Sequence, residues 1–213
     1  MNKYVLTGSS CCLKSSIGNE LKYFKYIEFI NSDSDVLSDM RNRNIIDYNF
    51  YPRIFFKGYI MRMMDYLSND YYKVIFERGM IDQLVYAKIM STGWFDLDTE
   101  LDYQKILDNT DVILNFEKSC NIDKYYILEN YDTYLLHKII DDPEFENSRR
   151  WDSYYTVEDY IKLRQMFHDY YIFYLSKISA NYKIIAIEGD KDTRITDLIE
   201  NTCNIIYDDI HSL

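Results

Sequence analysis

Glycine and proline are scarce in this sequence. Six glycines and two prolines among 213 residues leave no Gly- or Pro-rich linker that would divide the chain. The four cysteines include no CxxC pair, and together with three scattered histidines they give no zinc-ligand spacing. Cys11 and Cys12 are adjacent, and free thiols in a reducing compartment are expected. No apolar run approaches the roughly 20 residues that span a bilayer, and Met1 to Leu6 lacks the charged and apolar regions of a signal peptide, so no membrane association and a cytoplasmic location are expected. Positive charge is also in deficit: 24 Lys and Arg face 35 Asp and Glu, a net charge of −11. Such a surface repels a duplex backbone, but a small anionic ligand could still sit in a local basic pocket.

Apolar and aromatic side chains are abundant. A hydrophobic fraction of 47%, with 23 tyrosines and 11 phenylalanines, suffices for one sizeable core, and one domain over 1–213 is expected. Apolar runs at Lys3 to Thr7, Tyr26 to Ile30, Tyr72 to Phe76 and Tyr182 to Ile187 read as strands. Helical patterns alternate with them, over the stretch up to Phe24, Val36 to Arg43, Phe50 to Leu67, Ile81 to Met90, the region from Asp98, Tyr155 to Ser176, and Ile195 to Ile206. A further strand is ambiguous between Asp111 to Phe116 and Thr133 to Lys138. The alternation predicts a parallel sheet sandwiched by helices, a three-layer α/β fold.

Between the first strand and the first helix lies Gly8-Ser9-Ser10-Cys11-Cys12-Leu13-Lys14-Ser15-Ser16. Gly8, Lys14 and Ser15 occupy three defining positions of GxxxxGK[ST], in the strand-to-helix context that this phosphate loop requires. In such a loop, backbone amides and the helix N-terminus face nucleotide phosphates, the lysine adds positive charge, and the hydroxyl can complete a Mg²⁺ shell. Leu13 stands where the second glycine is expected, at a position whose backbone conformation disfavours bulky residues. An ordinary polar turn capping a helix is the alternative for the loop taken alone.

Directly after the third strand comes Phe76-Glu77-Arg78-Gly79-Met80-Ile81-Asp82-Gln83-Leu84-Val85-Tyr86. With the phosphate loop, this segment resembles the strand-end acid-arginine motif of thymidylate kinases and deoxynucleoside kinases, in the P-loop nucleoside and nucleotide kinase superfamily. The resemblance implies the P-loop NTPase fold with a five-stranded parallel sheet. It implies ATP bound by residues 8–16, Mg²⁺ served by Ser15 and Glu77, and catalytic roles for Lys14, Glu77 and Arg78, the arginine orienting the acceptor. Asp33, after the second strand, is a candidate base toward a sugar hydroxyl or else a turn residue. Arg53, Phe56, Tyr59 and Arg62 on the long helix, with Tyr86, are implied to line the acceptor site.

Family members close the donor site with an arginine-bearing lid, which the resemblance puts at about 140–156 with Arg149 and Arg150, and Arg164 on the next helix assisting. That spacing favours Thr133 to Lys138 as the fourth strand. The resemblance thus implies phosphoryl transfer from ATP to a nucleoside or nucleoside monophosphate, and it allows a homodimer. Two rivals are a binding or regulatory protein that keeps the fold without turnover, which Leu13 favours, and a polynucleotide 5′-kinase, which the acidic surface disfavours.

Overall fold

Five short β-branched and aromatic runs form one parallel sheet: β1 (Asn2–Gly8), β2 (Ile27–Ile30), β3 (Lys73–Glu77), β4 (Lys124–Glu129) and β5 (Tyr182–Ala186). Their spatial order is β2-β3-β1-β4-β5. In the computed structural model the described residues are 2–9, 12–24, 27–30, 58–64, 73–93, 100–132, 156–189 and 192–212. The helices among them are α1 (Lys14–Leu21), α2 (Met80–Met90), α3 (Glu100–Asp108), α4 (Thr110–Ser119), α5 (Val157–Lys177) and α6 (Ile195–His211), with a further helical stretch at 58–64.

Period-two alternation along the central strands explains the layers. Val5 of β1 and Tyr125 and Ile127 of β4 pack into a cluster with Leu84, Val85, Ile113, Phe167 and Tyr171 from α2, α4 and α5. Tyr4 and Leu6 of β1 and Tyr126 and Leu128 of β4 join the opposite cluster with Ile17, Leu21, Leu198, Cys203 and Ile206 from α1 and α6. Both faces of the sheet are therefore covered, as a parallel sheet requires. The expected three-layer architecture is present. Cys12, Cys120 and Cys203 are buried free thiols. Among the described residues no helix is long and apolar enough to cross a membrane.

The fourth strand differs from the expectation. Residues 110–119 form helix α4 rather than a strand, and the place beside β1 is filled by Lys124–Glu129, paired from Tyr4↔Lys124 to Gly8↔Leu128. The alternative that spacing favoured, Thr133 to Lys138, lies outside the described residues. A charged residue at each end of β4 disguises the strand. Lys124 is buried all the same, because its ammonium reaches the Asp209 carboxylate at 2.8 Å from β4's flank.

Parallel pairing puts the carboxyl ends of the strands along one edge, where doubly wound sheets bind ligands. The register sets Leu6 against Glu77, and the Arg78 amide donates to the Leu6 carbonyl at 2.9 Å. The loop after β1 and the turn after β3 are thus neighbours by construction. Helix α5 begins in a capping box, Thr156 with Asp159, and packs on α2, bringing its middle over the same edge.

Candidate active site

Gly8 leaves β1 at φ +140, and a side chain there would strike the Leu128 carbonyl oxygen, 2.4 Å from where its Cβ would lie. Only glycine fits. The chain then enters α1 through Leu13, whose backbone is left-handed at φ 54, ψ 19. The second glycine's conformation is therefore kept by a leucine, held there because its side chain is buried in the cluster beneath α1 and α6. Ser9 and Cys12 close the loop across its base, Oγ to Sγ at 3.2 Å. Ser10 and Cys11 lie outside the described residues, and Ser16 is within α1.

Lys14, buried at the first position of α1, donates its ammonium to the Ser9 carbonyl. Ser15 donates its hydroxyl to Glu77 Oε1 at 2.6 Å, joining the N-terminus of α1 to the end of β3. Glu77 is itself buried. A hydroxyl and a carboxylate oxygen side by side form the kind of oxygen pair a hard divalent cation takes.

Arg78 also holds a left-handed backbone, at φ 64. Its guanidinium donates to Tyr86 Oη at 2.9 Å, stands 5.1 Å from the centre of that ring, and lies 3.7 Å from Asp82 Oδ1. A non-glycine residue held at positive φ marks a turn that its surroundings over-determine. Two acids do so here. Asp82 Oδ1 accepts from Thr7 Oγ1 and from Tyr171 Oη, each at 2.7 Å, while Oδ2 accepts the Gly79 amide at 2.7 Å. Glu117, from α4, accepts the Tyr125 hydroxyl at 2.8 Å, and the Tyr59 hydroxyl and Met80 amide at 3.3 Å each. Burial drives the Glu117 carboxyl up to about 7, against the hydrogen bonds that favour its charged form. A Cβ on Gly79 would come within 2.6 Å of Glu117 Oε1, so the turn has no room for a side chain.

Of the residues implied to line an acceptor site, Tyr86 lies against Arg78. Tyr59 is fully buried with its hydroxyl on Glu117, and Arg62 is buried with its guanidinium 5.9 Å from the Tyr59 ring centre. Asp33, Arg53, Phe56, Arg149, Arg150 and the lid up to residue 155 lie outside the described residues. Arg164, on α5, is buried and donates to the Asn130 carbonyl; it lines a narrow cleft together with Gly8, Ser9, Glu129 and His168. Asp82, Glu117, Glu129 and His168 were assigned no role from the sequence, although Asp82 stands within the strand-end segment. Asp82 alone left a local signal, an acid three residues after Gly79 at a helix start, as in a capping box. The partners of the other three come together only through the sheet.

No family model and no curated protein matches the chain. Solved structures do. A deoxyadenosine kinase from M. mycoides with bound dCTP aligns at TM-score 0.56 and 15% identity, covering 99% of this chain and 100% of that one. A thymidylate kinase from Candida albicans aligns at TM-score 0.61 and 16% identity, covering 99% and 91%. The NadR protein in complex with NR aligns at TM-score 0.61 and 13% identity over 97% of this chain and half of that one. With its five-stranded parallel sheet and the loop and turn at the strand ends, this chain has the fold of the P-loop nucleoside and nucleotide kinases.

Proposed function

We propose that this protein is an ATP-dependent kinase that phosphorylates a nucleoside or nucleoside monophosphate, as one cytoplasmic domain over 1–213 with a lid at about 140–156. The observation that carries the reading is the 2.6 Å hydrogen bond from Ser15 to Glu77, which sets a hydroxyl and a carboxylate together beside Lys14 at the N-terminus of α1. These residues suit ATP and Mg²⁺: the helix N-terminus and the Lys14 ammonium favour anions, and the Ser15-Glu77 pair offers oxygens to the metal. ATP supplies the phosphoryl group, and Mg²⁺ offsets charge among its phosphates. Lys14 exchanges the Ser9 carbonyl for phosphate oxygens, Arg78 holds the acceptor's reactive end, and Arg149 and Arg150 close over the donor. Catalysis by these groups is positioning and charge stabilisation in a water-poor site.

A coupled assay with ATP and Mg²⁺ against a panel of nucleosides and nucleoside monophosphates tests this. Turnover of at least one acceptor is expected, with Lys14→Ala and Glu77→Gln each lowering kcat by about 10²-fold or more, the scale of losing a charge-stabilising contact. Undiminished turnover in both variants would refute the assignment. A second reading, a nucleotide-binding protein without turnover, is favoured by Leu13 at the second-glycine position. It predicts nucleotide binding with no turnover of any acceptor, either by the wild type or after Leu13→Gly.

A further inference from the structure

The end of β4 carries a carboxylate-imidazole pair that no part of the proposed machinery uses. Glu129, the last residue of β4, meets His168 of α5, with Oε1 2.5 Å from Nδ1. An ionised carboxylate can only accept, so Nδ1 carries the hydrogen and Nε2 is left as the acceptor nitrogen. The Tyr131 hydroxyl lines the same cleft and is pushed up to about 12, by burial and then by the Glu129 charge. The pair is placed beside the phosphate loop, because the pairing of β1 with β4 sets Gly8 against Leu128. Gly8, Ser9, Glu129, Tyr131, Arg164 and His168 line one cleft. His168 is partly exposed and Glu129 is more nearly covered, and both line this cleft. The ionisable groups that line the cleft with His168 are Glu129 and Tyr131 from the β4 end and Arg164 and Tyr171 from α5.

Resting on the kinase reading, we infer that His168, oriented by Glu129, is the general base of this site, and that the acceptor therefore presents a hydroxyl: the substrate is a nucleoside rather than a nucleoside monophosphate. A phosphate acceptor is already ionised at neutral pH and gives a base nothing to do, whereas a sugar hydroxyl must lose its proton as it attacks. The acceptor oxygen forms its bond to the terminal phosphorus of ATP while the bond from that phosphorus to the bridging oxygen breaks, and ADP leaves with the bond's electron pair. The hydroxyl proton passes to His168 Nε2, the Nδ1 hydrogen stays on the ring and is donated to Glu129, and the imidazolium later returns its proton to water. Arg164, lining the same cleft, offsets the anionic charge that gathers there.

The test is steady-state kinetics on the full-length protein with ATP and Mg²⁺, pairing each nucleoside with its 5′-monophosphate, for wild type, His168→Gln, Glu129→Gln and Lys14→Ala across pH. Turnover of a nucleoside is expected, with kcat falling about 10²-fold or more in His168→Gln, the scale of a lost general base, and KM holding within about twofold. The fall of wild-type kcat at acid pH should be missing in that variant, an effect that loss of packing would not produce. Glu129→Gln keeps the imidazole but lets an amide donate to Nδ1, protonating Nε2, so kcat falls again with KM held; this variant decides if circular dichroism shows His168→Gln unfolded. Turnover confined to monophosphates, or an unchanged kcat and pH profile in a folded variant, overturns the base while Lys14→Ala still reports on the kinase reading. No wild-type turnover of any acceptor overturns both.

Discussion

Leu13 keeps a backbone that glycine normally supplies, and its left-handed φ of 54 costs about 1–2 kcal/mol for a residue with a Cβ. Its buried side chain offsets this by roughly 1.5–3 kcal/mol. Two truncations separate these effects. Leu13→Ala loses the burial and keeps the strain, whereas Leu13→Gly loses the burial and the strain together. The glycine variant should therefore be the more stable by about 1 kcal/mol in urea melts, the reverse of the usual Gly and Ala order in a helix. Gly8, Lys14, Ser15, Glu77 and Arg78 were legible in sequence because each belongs to a short motif whose geometry is local. The unfavourable backbone at Leu13 was legible from the motif as well, whereas the positive φ of Arg78 was not, since it depends on what packs above and below the turn.

At the scale of elements, two acids tie helices to the sheet and respond to pH in opposite ways. Glu117 of α4 sits beneath the start of α2, with its carboxyl raised from 4.5 to about 7 by burial. A raised acid binds its proton more tightly in the folded state, so its contribution is full below the unfolded value and is lost as pH rises through the folded one. Stability should fall by up to about 3 kcal/mol between pH 4.5 and 7 from this group, and Glu117→Gln should abolish that slope in denaturant titrations. Asp209 of α6 behaves inversely. Burial pushes its carboxyl up, but hydrogen bonds from Lys124, Lys183 and Tyr126 prevail and hold it at about 2. Its contribution is present above the unfolded value near 4 and disappears as pH falls toward 2. Asp209→Asn should cost about 2 kcal/mol at pH 7 and almost nothing at pH 2.

The Asp209 contacts also explain why β4 escaped notice. Lys124-Tyr125-Tyr126-Ile127-Leu128-Glu129 has a charged residue at each end, and only the partners that α6 and α5 bring, Asp209 for Lys124 and His168 for Glu129, make those ends tolerable in the fold. The helix at 110–119 looks strand-like because Asp111 to Phe116 is short and apolar, and periodicity cannot separate such a run from a helix.

For the whole molecule, the kinase reading makes stability depend on ligand. Mg²⁺-ATP at about 100 times its Kd should stabilise the fold by about 2.7 kcal/mol, which for a domain near this size raises Tm by roughly 5–10 °C. Differential scanning fluorimetry would show that shift in the wild type and little of it in Lys14→Ala. The net charge of −11 acts at the same scale, and no salt-sensitive binding of a single-stranded oligonucleotide is expected in a filter or anisotropy assay. A salt-sensitive complex would revive the polynucleotide reading.

The sequence by itself determined the class of fold, because alternating apolar runs of strand and helix period leave a parallel sheet covered on both faces as the arrangement that buries them all. It also marked the loop after β1 and the Glu-Arg turn as the candidate site, since both are contiguous segments whose spacing can be read directly. Only the tertiary structure decided which segment pairs beside β1, that burial of its side chain holds Leu13 in the glycine-like turn, that Arg78 is held at positive φ by Asp82 and Glu117, and that Glu129 meets His168 in the cleft beside Gly8. The physical reason is range. Glu129 and His168 are 39 residues apart, as are β4 and α5 at those positions, and nothing short of the β1-β4 register and the packing of α5 brings that pair to the phosphate loop.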